Sequence, residues 1–131
     1  METSVKEFDH CDVISVIGYL ERSTVGQLIQ ALETSNKRGK YHLIIDLSQV
    51  EYIASAGFRA LLIAQQNNRR NHGELILAQM PDPVQQVFEL TGFGSFFHIF
   101  GALPSAIEFA RQLQDDPQDN ICEDRNPFTV E

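Results

Sequence analysis

No run of apolar residues in this 131-residue chain approaches the ~18 that a membrane-spanning helix needs, so a membrane is not an expected partner. The first residues, Met1-Glu2-Thr3-Ser4-Val5-Lys6-Glu7, lack both the basic region and the apolar stretch of a secretory signal. Basic residues are scarce, 10 against 18 acidic ones, for a net charge of −8. Such a field repels a phosphate backbone, so no nucleic acid is expected either. Cysteine is nearly absent. Cys11 and Cys122 have no second cysteine or histidine at metal-ligand spacing, and His10, though adjacent to Cys11, points the other way on a strand. Neither a disulfide framework nor a metal site is expected, and two unpaired thiols fit a reducing, cytoplasmic compartment.

The signatures of common enzymes are missing as well. No glycine-rich phosphate loop is present, and Gly92-Phe93-Gly94 ends a helix pattern instead of opening one. Ser55 lies in Ile53-Ala54-Ser55-Ala56-Gly57, which has isoleucine where a nucleophile elbow needs its first glycine. His10, His42, His72 and His98 fall on different elements. Asp46 ends a predicted strand, where a loop-capping role explains a solitary carboxylate better than catalysis. The chain is read as not an enzyme, with no cofactor.

What is present is a globular composition, 43% apolar and 21% charged, at the length of one domain. Acid concentrates at the end: residues 115–131 carry a net −5, leaving −3 for the rest. With Pro117 and Pro127 and no periodicity, that stretch reads as an acidic, flexible tail beyond a domain at 3–114.

Within the domain, Val5-Lys6-Glu7-Phe8 and the run Asp12–Leu20 predict a hairpin closing around His10-Cys11-Asp12. Ser23 or Thr24 offers a cap to a helix whose Val25, Leu28, Ile29 and Leu32 recur at amphipathic spacing, with Gly39 beyond its end. Tyr41–Leu47 reads as a central strand covered on both faces, followed by a linking stretch, Ser48–Ile53. A second helix carries Phe58, Leu61, Leu62 and Gln65. Glu74–Ala78 is another buried strand. Pro83 opens a helix that Gly92 stops, Phe96–Phe100 reads as a strand, and Pro104 opens the last helix. The order ββαβαβαβα implies an α/β fold: a mixed sheet, mainly parallel, with an N-terminal antiparallel edge and about four helices.

Ser55 stands out physically. It precedes a long amphipathic helix, and Ala56 and Gly57 beside it leave the backbone open to an approaching group. A serine at a helix N-cap accepts backbone N–H bonds, which alone explains it. The same amides and helix dipole also suit an added phosphate, which makes Ser55 a candidate switch.

The stretch Leu43-Ile44-Ile45-Asp46-Leu47 through Ala54-Ser55-Ala56-Gly57-Phe58 to Leu62 resembles the STAS domain, in its stand-alone form as an anti-sigma-factor antagonist. The family pattern is an aliphatic strand, a short loop, then Asp-Ser-(Ser/Thr/Ala)-Gly-Leu opening a helix. Gly18-Tyr19-Leu20-Glu21, Gly73–Leu77 and Val87–Phe93 resemble further family elements, and the likeness covers about residues 5–112. The resemblance implies that Ser55 is a phosphoacceptor. Its implied partners are an anti-sigma factor that is also an ATP-dependent serine kinase, and a metal-dependent phosphatase that resets the switch. It also implies that Glu21, Ala54, Ala56 and Gly57 meet the partner. Ala54 departs from the family, which has Asp there, and Phe58 replaces the usual leucine. The alternative function is a non-switching scaffold or small-ligand sensor in a signalling assembly.

Overall fold

The structure is a computed structural model that describes residues 2–115. The acidic tail expected after residue 114 therefore lies outside the described residues, apart from the backbone of Asp115, and so does Cys122.

Five strands form one sheet in chain order: β1 (Glu2–Glu7), β2 (Asp12–Leu20), β3 (His42–Ile53), β4 (Glu74–Ala78) and β5 (His98–Phe100). β1 and β2 make the predicted antiparallel hairpin, closed by the Phe8 amide donating to the Cys11 carbonyl at 2.8 Å. The remaining pairings are parallel. Four helices complete the fold: α1 (Val25–Lys37), α2 (Ser55–Arg70), α3 (Asp82–Thr91) and α4 (Leu103–Asp115). The mixed α/β sheet with an antiparallel edge is as the sequence implies.

Strand order dictates where the helices lie. Parallel strands joined by right-handed crossovers that always step the same way place every crossover helix on one face. Accordingly Leu28 and Leu32 of α1, Phe58 and Leu61 of α2, and Val84 and Phe88 of α3 share one core with Ile14, Val16, Leu43, Ile45, Leu75 and Leu77. Only α4, which follows the last strand, is left for the opposite face. There Ala106 and Ala110 pack with Cys11, Val13, Ile44 and Ile76.

Two strand boundaries differ from the sequence reading. β3 runs on through the expected linking stretch to Ile53. Its partner β2 keeps a regular alternation, while β3 slips register between the residues opposite Ser15 and Ile17 and again between those opposite Gly18 and Tyr19. The two bulges give residues 47–53 buried positions at Leu47, Val50 and Ile53, a spacing of three that hides the strand. At the other end, the strand expected from Phe96 begins only at His98. Gly92, at φ 78°, closes α3, and Phe93–Phe96 form a 3-10 turn. The aromatic run packs rings instead: Phe58 lies 5.0 Å from Phe88 and 5.1 Å from Phe93, and Phe97 lies 6.3 Å from Phe88.

Candidate functional site

β2 and β3 end side by side, with Leu20 opposite Ile53. The chain leaves β2 through a tight turn. The Glu21 carbonyl accepts the amides of Thr24 and Val25, and the Thr24 hydroxyl donates to the Tyr19 carbonyl at 2.7 Å while accepting the Glu21 amide at 3.0 Å. The chain leaves β3 at Ala54, whose amide donates to the Leu20 carbonyl at 2.9 Å. One backbone bond thus holds the start of α2 against the turn that carries Glu21.

Ser55 is the first residue of α2 and not its cap, a correction to the N-cap expectation. The cap is Ala54, in extended geometry (φ −94°, ψ 175°), and no side chain caps the helix. The Ala54 carbonyl takes the amides of Gly57 and Phe58 at 2.9 and 3.2 Å. Ser55 is exposed, and its hydroxyl has no hydrogen-bond partner among the described residues. The first turn of α2 holds no acidic residue. The positive end of the helix dipole therefore lies beside a free hydroxyl with no carboxylate of the turn to offset it.

The neighbours divide by exposure. Ala54, Ala56 and Glu21 are half-buried, and the Glu21 carboxylate accepts the Ser23 hydroxyl at 3.2 Å. Gly57 is buried and faces inward. A Cβ there would stand 2.9 Å from Leu20 Cγ, 2.9 Å from Ile53 Cγ2 and 3.1 Å from the Leu20 carbonyl oxygen. The sequence reading made Gly57 small to leave room for a partner; in the structure the close approach is internal, to β2 and β3. Phe58 is core-facing, as expected.

The remaining candidates lie apart from Ser55. Asp46 holds a loop, its carboxylate accepting the Ser48 amide at 3.0 Å and the Gln79 side-chain amide at 2.9 Å. Three buried ionisable groups that the fold perturbs gather at the opposite, N-terminal ends of β2 and β3. Asp12 is fully buried, and burial alone would raise its carboxyl. Hydrogen bonds from Ser35 (2.7 Å), Lys40 (2.9 Å) and Arg38 (2.6 Å) outweigh that and hold it below the ordinary range. Burial lowers His42, which sits opposite Glu74, and leaves its Nε2 without a partner. Burial pushes the Cys11 thiol up to about 11, which keeps it unreactive. No group of three or more histidine, cysteine or acidic residues among the described residues is placed to hold a metal ion.

Residues that shape the site beyond the candidate site residues are Leu20, Thr24 and the pair Tyr19–Tyr52. Leu20 acts through its carbonyl, which leaves no trace in residue type, whereas Thr24, read from the sequence as a possible helix cap, closes the turn with its hydroxyl. The two tyrosines oppose each other on β2 and β3 with rings 6.4 Å apart, a relation visible only once β3 is extended.

Known proteins are similar to this chain in sequence and fold. BtrV of Bordetella bronchiseptica, assigned as an anti-sigma factor antagonist, is 28% identical over 106 residues, 81% of this chain and 91% of that one. The anti-sigma-B factor antagonist of Listeria monocytogenes is 29% identical over 99 residues, covering 76% of this chain and 86% of its own. The crystal structure of an anti-sigma factor antagonist from Mycobacterium paratuberculosis superposes with a TM-score of 0.76 at 26% identity, over 84% of this chain and 93% of that one. The family model described as Mlab, STAS domain matches residues 3–101, most of the length of the described fold. The chain therefore belongs to the STAS domain family.

Proposed function

We propose that this chain is an anti-sigma-factor antagonist whose binding is switched by phosphorylation of Ser55. In this reading it acts in the cytoplasm, sequesters an anti-sigma factor of the serine-kinase type and so releases a sigma factor. The kinase modifies Ser55, and a metal-dependent phosphatase reverses the step; the chain itself is a substrate and not an enzyme. The observation that carries the reading is the Ser55 hydroxyl, exposed and unbonded at the uncapped start of α2. The names of the relatives from Bordetella and Listeria support the partner class.

Phosphate adds about −1.5 to −2 charges at an exposed position beside a helix N-terminus, so the free domain stays folded. A partner surface that closes over a neutral serine flanked by Ala54 and Ala56 must instead desolvate a dianion. That costs about 2–4 kcal/mol, or roughly tens-fold to a thousand-fold in affinity. The test is incubation with the serine-kinase anti-sigma factor and ATP, followed by mass spectrometry and binding titrations. Ser55→Ala is expected to bind constitutively and take no phosphate, and Ser55→Asp to bind weakly. Phosphate on Thr24 or Ser48 with Ser55 untouched, or full-strength binding by Ser55→Asp, overturns the assignment.

One observation favours the second reading, a small-ligand sensor. A groove of about 430 Å³ lies between α3, the 3-10 turn and β5, lined by Met80, Phe88, Gly94 and Ile99 with Glu89 at its margin. Its volume falls within the ~300–1,000 Å³ of small-molecule sites. A ligand there would leave Ser55 free, so loss of signalling in a groove variant with normal Ser55 phosphorylation would favour this reading.

A further inference from the structure

Among the described residues, three helices lie on one face of the sheet and α4 alone on the other. α4 begins where the Leu103 amide donates to Gln79 at 3.3 Å, just past the C-terminal end of β4. It runs back toward the N-terminal ends of the strands, passing Phe109 over His98 at 4.6 Å and packing Ala106 and Ala110 with Cys11 and Val13 beside the hairpin turn. On the way it covers β3, β4 and β5. It does not reach the far half of β2.

The regular alternation of β2 turns Val13, Ser15, Ile17 and Tyr19 to the α4 side. Val13 is buried beneath α4 and Phe8, whereas Ile17 and Tyr19 are 37% and 51% exposed. Tyr52, opposite Tyr19, is 53% exposed. The result is a bare apolar strip along one side of the sheet, ending three residues short of Ser55.

The chain itself continues from the right place to cover that strip. α4 ends at Asp115, at the hairpin end of the same face, and residues 116–131 follow. Fully extended, sixteen residues reach roughly 50 Å, and the nine residues of β2 span only about 30 Å. Ile121 and Cys122 interrupt an otherwise polar segment, and near its end Pro127-Phe128-Thr129-Val130 places two apolar residues at the period-two spacing of a strand. On this face the exposed Lys6 pairs with Val13 and the exposed Glu2 with Ile17, so charge is balanced there. From the strip, the reach and the apolar pair together, we propose that residues 116–131 fold back over β1 and β2 and dock Phe128 and Val130 on Ile17, Tyr19 and Tyr52. Docked there, the segment masks the surface adjoining the phosphoacceptor turn.

The chain contains no tryptophan, so Phe128→Trp installs one tryptophan that can be excited apart from the three tyrosines in the intact protein. Its emission is expected to be blue-shifted from that of the same protein in urea, at every protein concentration tested. Adding Ile17→Ser and Tyr52→Ser, both at exposed positions, should abolish the shift while the circular dichroism of the fold is kept. Emission equal to that of the unfolded chain overturns the proposal. So does a shift that survives the two serine substitutions, which would place the segment elsewhere. A shift that grows with protein concentration also overturns it, because the occupant is then a second copy. None of these readings involves the kinase, so the outcome stands apart from the assignment of Ser55.

Discussion

The Leu20 carbonyl accepts the Ala54 amide at 2.9 Å and stands 3.1 Å from where a Cβ on Gly57 would sit. That backbone oxygen therefore fixes the start of α2 and, with the Leu20 and Ile53 side chains at 2.9 Å, leaves no room for a side chain one turn along. Gly57→Ala gains about 1 kcal/mol of helix propensity but pushes a methyl into that carbonyl, Leu20 and Ile53, at about 1–3 kcal/mol. Because a backbone oxygen cannot swing aside, a net loss of about 1–2 kcal/mol is expected. Urea titration of the two proteins checks it, and an unchanged midpoint would show that the strand ends separate easily.

Ala54 has the extended backbone of a cap without the side chain of one. Ala54→Asp is expected to stabilise the domain by about 1 kcal/mol by accepting amides of the first turn. The same carboxylate would compete with a phosphate on Ser55 for those amides. It is therefore expected to change the phosphorylation rate while binding of the unmodified protein stays nearly constant. Unfolding midpoints and a phosphorylation time course separate the two effects.

Asp12 ties β2 to the end of α1 through Ser35, Arg38 and Lys40. Its folded carboxyl is held below the ordinary range, so its contribution is complete above the unfolded value of about 3.9 and is lost as pH falls through the lower folded value. Asp12→Asn should cost about 3 kcal/mol at neutral pH, near the low end for a broken buried pair because Arg38 and Lys40 both reach solvent. The gap between the two proteins should narrow progressively as pH falls below about 3.9. A gap that persists in acid would mean that the charge is not what stabilises the contact.

His42 titrates in the same sense from a different cause. Burial lowers its folded value, so the neutral ring favours folding above the unfolded value near 6.5, and that advantage shrinks as pH falls below it. Stability should drop between about pH 7.5 and 5.5, and less steeply in His42→Leu. Chemical denaturation at the two pH values gives the difference of slopes, and equal slopes would remove His42 as the cause.

Elements with a clean period were legible in the sequence: α1 from Val25, Leu28 and Leu32, β4 from five consecutive buried residues, and α3 from Pro83 and Gly92. β3 was cut short because its two bulges replace a period of two with one of three. β5 was overextended because Phe96 and Phe97 mimic a strand while serving the 3-10 turn and a ring cluster. Ser55 was found by residue type, but its place one residue inside the helix was not, since Ala54 has no side chain with which to announce a cap. The inward turn of Gly57 was hidden for a different reason. Its obstruction comes from Leu20 and Ile53 at the ends of two strands, a closeness that only the folded register creates.

That the five strands lie in the sheet in the order of the chain bears on how the molecule is made. No strand must wait for one synthesised later to be inserted beside it. Each parallel crossover closes a loop of roughly 20 residues, so the entropic cost of adding a strand is nearly the same at every step. β3 can pair with the hairpin before β4 leaves the ribosome, and β4 with β3 before β5 does. The last strand is the shortest, three residues, and it gains its second cover only when α4 arrives. Vectorial assembly would therefore begin at the hairpin and finish at β5, leaving β5 as the edge most open to early unravelling.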